Sequence, residues 1–174
     1  MRVISGKYKG KKLKGYDVDG TRPTMDRVKE SLFGSIQNYI IDSKCLDLFC
    51  GSGALGIEAL SNGAKECYFN DKNPDMIKIL KENLKNINNY IVSNKDYINF
   101  LEETTEKFDV IFLDPPYNLE LINKSIEIIL KNNLLNINGI IVCEYENEKI
   151  NCNLKILKEK KYGNKKIIIY KNEF

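Results

Sequence analysis

Four consecutive residues, Asp114-Pro115-Pro116-Tyr117, combine an acid, two rigid carbonyls and a flat ring. Two prolines fix two φ angles and remove two N–H donors, so the backbone between the acid and the ring can only accept hydrogen bonds. Acceptors for amino hydrogens beside a π-face for the attached ring suit an exocyclic amine on a planar base. A second set lies upstream, where Gly51, Gly53 and Gly56 form G-x-G-x-x-G at the end of the apolar run from Cys45. Backbone without Cβ can turn sharply and approach a ligand closely, and the helix that follows presents free N–H groups to a polar ligand atom. Twenty positions after Gly51, another apolar run ends at Asp71, an acid placed to accept from both hydroxyls of a ribose. These glycines and Asp71 indicate an adenosine-type cofactor without saying which, since a dinucleotide uses the same features. Asp114 to Tyr117 decides for methyl transfer to an amine, because nicotinamide chemistry has no use for such a grip.

The elements that must position these groups can be read from periodicity. Buried strands are expected at Cys45–Phe49, Phe108–Leu113 and Ile137–Cys143, with further strands at Ala64–Asp71 and, shorter, at Tyr90–Val92. Helices are expected after the glycine loop, from Pro74 with the stripe Met76, Ile77, Leu80, Leu84 and Ile87, at Tyr97–Glu103, and at Leu121–Leu130. An earlier helix runs through Val28, Leu32 and Ile36, with Thr24 as its expected N-cap and Asp26 in its first turn. The runs Asn153–Lys158 and Lys165–Tyr170, turned at Tyr162-Gly163-Asn164, read as a terminal hairpin that adds an antiparallel edge to a parallel sheet. Asp96, beyond the third strand, suits either an adenine amino group or the cap of the next helix.

The chain of 174 residues reads as one domain, with a basic extension over 1–20 and a Rossmann-like core over 21–174. Net charge is only +3, yet the first fourteen residues hold six cations (Arg2, Lys7, Lys9, Lys11, Lys12 and Lys14) and no acid. That asymmetry, with Tyr8 among the lysines, indicates a small basic β-hairpin that meets RNA. Arg22 and Arg27 flank a helix start and suit phosphates or a cofactor carboxylate. With no histidine and no C-x-x-C among five cysteines, a metal site is not expected, nor are disulfides or a triad. No apolar run is long enough to span a bilayer and the basic N-terminus lacks an apolar signal core, so a cytoplasmic protein is expected.

Four segments together resemble the RsmD family: Arg2–Gly10, Arg22–Phe33, Leu46–Leu60 and Phe112–Tyr117. Its members are bacterial methyltransferases acting on N2 of a guanine in 16S ribosomal RNA. The similarity runs nearly the whole length, and Cys50 stands where alanine is more usual. The resemblance implies a class I S-adenosylmethionine-dependent methyltransferase fold with a mostly parallel seven-stranded sheet. It implies S-adenosylmethionine bound by Asp47, Gly51, Ser52, Gly53, Asp71 and Asp96, and a guanine held by Asp114, Pro115, Pro116 and Tyr117. It further implies a small ribosomal subunit or its 16S RNA as partner, contacted by Arg2, Lys7, Lys9, Lys11, Lys12, Arg22 and Arg27, with the enzyme a monomer. Two other readings fit the residues: an adenine-N6 or cytosine-N4 methyltransferase using the same grip, and a non-catalytic RNA-binding assembly factor.

Overall fold

The computed structural model describes residues 1–15, 22–116 and 120–173, the side chains of 22–24 excepted. Tyr117 and the turn expected over Asp17–Gly20 lie outside the described residues. The elements are α1 (Arg22–Ile40), β1 (Lys44–Asp47), α2 (Ala54–Ser61), β2 (Glu66–Asn70), α3 (Pro74–Asn83), β3 (Tyr90–Ser93), α4 (Tyr97–Glu103), β4 (Phe108–Leu113), α5 (Leu121–Lys131), β5 (Leu135–Tyr145), β6 (Lys155–Tyr162) and β7 (Lys165–Lys171). One seven-stranded sheet has the order β3-β2-β1-β4-β5-β7-β6. The first five strands are parallel, and β7 runs antiparallel to both β5 and β6.

Strand alternation sends side chains to two apolar layers. Val110, Phe112, Ile140, Val142, Ile167 and Ile169 join the layer filled by α1, α2 and α3, while Ile111, Leu113, Ile141, Cys143 and Ile168 join that of α4 and α5. Sheet order reverses between β1 and β4, which opens a crevice beyond their C-terminal ends. The glycine loop follows β1 and the Asp-Pro-Pro turn follows β4, so both borders of that crevice carry the residues singled out by sequence.

Two expectations are corrected. Helix α1 begins at Arg22, so Thr24 is inside its first turn instead of capping it, and Asp26 lies beyond that turn; proline at the second helical position is tolerated because its missing N–H has no intrahelical partner there. Strand β5 is not buried from Ile137: that side chain is 68% exposed, because Asn138 takes φ 67° and regular pairing with β4 resumes only at Ile140. The N-terminal segment pairs with itself in antiparallel fashion, as expected of a small hairpin, and it also acts as a clasp. It has one antiparallel bridge, Arg2 to Lys12, and it docks Val3 and Leu13 into the layer of α1 and α2. The five cysteines are all free thiols.

Candidate active site

Of the three glycines after β1, two are required by packing. Gly53 caps α2 at φ 90°, and a Cβ on it would lie 2.4 Å from Leu80 Cδ1. At Gly56 a Cβ would lie 2.3 Å from Phe69 Cε1, so this position lets α2 press directly onto β2. Gly51 differs: a Cβ there would make only an ordinary contact, with Met76 Cε at 3.6 Å among the described residues, so its φ of 53° and not crowding asks for glycine. Asp71 stands beside it, one carboxylate oxygen accepting from the Gly51 N–H (2.9 Å) and the other from the Asn73 N–H (2.9 Å). Each oxygen keeps acceptor capacity for a further hydrogen bond. Ser52 is buried, its carbonyl accepting from Asn83 Nδ2 at 2.9 Å.

The other two acids of the predicted cofactor set have local tasks. Asp96 caps α4, accepting from the Ile98 N–H at 3.0 Å. Asp47 is 1% exposed and turned under the loop, where it accepts from the Gly56 N–H at 3.0 Å. Burial pushes its carboxyl up to about 7, the Gly56 N–H opposing the rise and the Asp71 charge adding to it. The folded state therefore holds a proton that the unfolded chain releases near pH 4, and the stabilisation it brings is lost as pH rises toward 7. Asp47→Asn keeps an acceptor for Gly56 but cannot ionise. Its stability relative to native protein should accordingly improve between pH 5 and pH 8 by on the order of 2–4 kcal/mol. Thermal unfolding across that range checks this, and a difference independent of pH would sink it.

Asn70 is a residue that sequence reading passed over. Fully buried at the end of β2, it donates to the carbonyls of Leu48 (3.2 Å) and Lys95 (3.0 Å) and accepts from Ser93 Oγ (2.6 Å). It thereby ties together the loops beyond β1, β2 and β3. Asn83 acts similarly between the glycine loop and the clasp, donating to the Ser52 and Lys14 carbonyls and accepting from the Lys14 N–H.

Across the crevice the sheet itself builds a charged rung. Cys143 pairs with Leu113 and both point to the α4 and α5 layer, so the next residues, Asp114 and Glu144, point to the opposite face. Lys165 shares that face on β7, two residues before Ile167, and its Nζ lies 3.0 Å from Glu144 Oε1. Burial, then the Glu144 carboxylate, pushes Asp114 well above the usual carboxylate range, with Lys165 pulling the other way. The rung lines a cavity of about 550 Å³ together with Ala54 and Leu55 of α2, Asp26 and Lys29 of α1, and the turn Tyr162–Asn164. Pro115 is buried and Pro116 exposed. Glu144 and Lys165 were legible only through strand alternation, which continues one step past the apolar residues of each strand.

Of the predicted RNA contacts, Arg2, Lys7, Lys9, Lys12 and Arg27 are exposed and Lys11 is half-buried. Arg2 Nε bonds Asp26 Oδ2 at 3.2 Å, Lys7 Nζ sits 5.4 Å from the centre of the Tyr8 ring, and Lys11 Nζ reaches the Lys85 carbonyl at 2.7 Å. The Arg22 side chain lies outside the described residues.

The family model described as Conserved hypothetical protein 95 matches residues 1–171. A Haemophilus influenzae relative, "Ribosomal RNA small subunit methyltransferase D", is 39% identical over 99% of this chain and 94% of its own length. Among solved structures, the Escherichia coli protein yhhF, provisionally described as a methyltransferase, superposes with a TM-score of 0.87 at 34% identity, covering 99% of this chain and 98% of that one. SMU.776, also provisionally described as a methyltransferase and solved in complex with SAH, shares the fold at a TM-score of 0.69 and 17% identity, over 85% of this chain and 49% of its own.

Proposed function

We propose a function from one premise, that this chain belongs to the RsmD family: it is a methyltransferase that modifies ribosomal RNA of the small subunit, using S-adenosylmethionine, and its target is N2 of a guanine in 16S RNA. The observation that carries the reading is the position of Asp114, at the end of β4, on the wall of a base-sized cavity beside the loop that carries Gly51. The fit to the cofactor rests on the uncrowded glycine backbone at Gly51 and the unspent acceptor capacity of Asp71. The fold shared with a protein that holds SAH agrees with it.

S-adenosylmethionine supplies a methyl group activated by a positively charged sulfur. The protein's task is then chiefly alignment. Asp71 holds the ribose, the Gly51 backbone lets the cofactor lie close, and the buried Asn70 keeps the loops that carry them in place. The N2 lone pair of guanine is delocalised into the ring, which makes it a poor nucleophile. Hydrogen bonds from the amine to the Asp114 carboxylate and the Pro115 carbonyl localise that pair, and they strengthen as positive charge grows on nitrogen. Asp114 is also a fitting recipient for the proton that the alkylated amine sheds, since its affinity for protons is raised by burial and by Glu144.

The test is nucleoside analysis of small subunits lacking the modification after incubation with protein and cofactor. N2-methylguanosine is expected, and N6-methyladenosine or no methylated nucleoside overturns the reading. Cofactor binding is checked separately with Asp71→Ala, which removes a charge-assisted acceptor and should weaken affinity by about 1.5–3 kcal/mol, roughly tenfold or more. Unchanged calorimetric affinity in a folded variant would remove Asp71 from the cofactor site.

A further inference from the structure

Residues 155–171 hold seven lysines and one acid, a local charge of +6 in a chain of net +3. The strands β6 and β7 that carry them form the outer edge of the sheet, and their connecting turn is part of the wall of the catalytic cavity. We propose that the β6–β7 hairpin is a second RNA-binding arm, which holds the sugar-phosphate backbone flanking the target base and leads it into the cavity. This rests on the function proposed above and adds a contact surface to it.

The placement of the lysines argues for the arm. Lys158 pairs in register with Ile169 and Lys160 with Ile167, so both project over the face that packs on α1. There Lys158 Nζ meets Ser35 Oγ at 2.5 Å and Lys160 Nζ meets Ser31 Oγ at 3.3 Å. Lys161 projects from the other face, opposite Lys166. Lys158, Lys160 and Lys161 are exposed, and among the described residues none has a carboxylate within ion-pair distance. Lysines 155 and 165 of the same hairpin, by contrast, are paired with Glu173 and Glu144. Following the strand inward from Lys158 by two-residue steps of about 7 Å reaches Lys160 and then Tyr162 at the cavity. The Lys160 ammonium lies 5.0 Å from the centre of the Tyr162 ring, whose hydroxyl donates to Ser31 Oγ at 2.6 Å. Cations on an edge strand also discourage pairing with other sheets. That role needs no continuity with a cavity and no hydroxyl-bearing helix beside the lysines. Met1, at the start of the basic clasp, lines the same cavity, so two cationic segments, the clasp and the hairpin, border the place where an RNA strand would enter.

The experiment compares native protein with Lys158→Gln/Lys160→Gln/Lys161→Gln and with a control of equal charge loss, Lys107→Gln/Lys124→Gln/Lys131→Gln. Binding to small-subunit RNA is followed by fluorescence anisotropy across a range of potassium chloride, beside cofactor affinity and melting temperature. Each single-strand phosphate contact contributes about 0.7 to the logarithmic salt slope, so the hairpin variant should lose about 2. Its RNA affinity at low salt should fall tenfold or more, with cofactor affinity unchanged and the control close to native. Lys160→Gln alone should lose about 0.7 of slope. An unchanged slope in the hairpin variant, an equal loss in the control, or aggregation of the hairpin variant with RNA affinity intact each overturns the arm, the last assigning the lysines to edge protection. Native protein that transfers no methyl group to small-subunit RNA overturns the function beneath the proposal and the proposal with it, whereas native transfer with an unaltered hairpin variant overturns the arm alone.

Discussion

Asp114→Ala is expected to slow single-turnover methyl transfer by roughly 10²–10³-fold while cofactor affinity stays within about twofold of native. On the proposed reading, the contact it removes grows as the amine becomes cationic, so its loss falls on the transition state more than on substrate binding. The chain holds no histidine to take over the work. Asp114→Asn separates charge from geometry: the amide oxygen still accepts from the amine, but it carries no negative charge and takes no proton at neutral pH. An intermediate loss is expected for it. The same change relieves the repulsion between Asp114 and Glu144, so the variant should be no less stable than native protein. Turnover of Asp114→Ala close to native, in a protein that still binds cofactor, would assign the reaction to another group.

Much of this site was open to reading from residues alone, for identifiable reasons. The glycine loop, Asp71 and the Asp-Pro-Pro turn each sit at the end of an apolar strand, and such strands announce themselves by composition over four to six residues. Parallel pairing then brings their ends to one side without further information. What composition does not carry is the direction of a polar side chain. Asp47 and Asp71 are both acids at strand ends, yet Asp47 faces inward to Gly56 and Asp71 accepts from Gly51 at the crevice. The docking of the N-terminal clasp was not legible for a related reason: Gly6 is needed because a Cβ there would fall 2.0 Å from the Ser61 carbonyl oxygen. Docking of that kind depends on a surface remote in sequence. Glu58 did leave a trace, as the one acid within the otherwise apolar helix Ala54–Leu60.

Glu58→Ala should destabilise the protein by about 3–5 kcal/mol, the cost of breaking a buried ion pair from one side. Glu58 is fully buried, and its carboxylate gathers the N–H groups of Ile4 (2.9 Å) and Ser5 (3.1 Å), the Asn62 amide (3.1 Å) and Lys29 Nζ (3.2 Å). Removing it orphans two backbone donors and leaves a lysine whose side chain is only 11% exposed without its counter-charge. The double variant Glu58→Gln/Lys29→Met distinguishes the causes. If the stranded ammonium dominates, the double variant is more stable than Glu58→Gln alone; if the clasp contacts dominate, it is not. The consequences reach the surface proposed to meet RNA, because Ile4 and Ser5 anchor a segment that continues through Lys7 N–H to Ser61 O at 2.8 Å and Tyr8 N–H to Ser61 Oγ at 2.9 Å. Loosening the anchor frees six cations from a fixed position, so the Glu58→Ala protein should lose RNA affinity under conditions where it remains folded and binds cofactor normally. Urea unfolding measures the first effect, and faster cleavage of the N-terminal segment in limited proteolysis measures the second. A loss of stability below about 1 kcal/mol would mean that the clasp is held by Val3 and Leu13 in the core and that the carboxylate is a bystander.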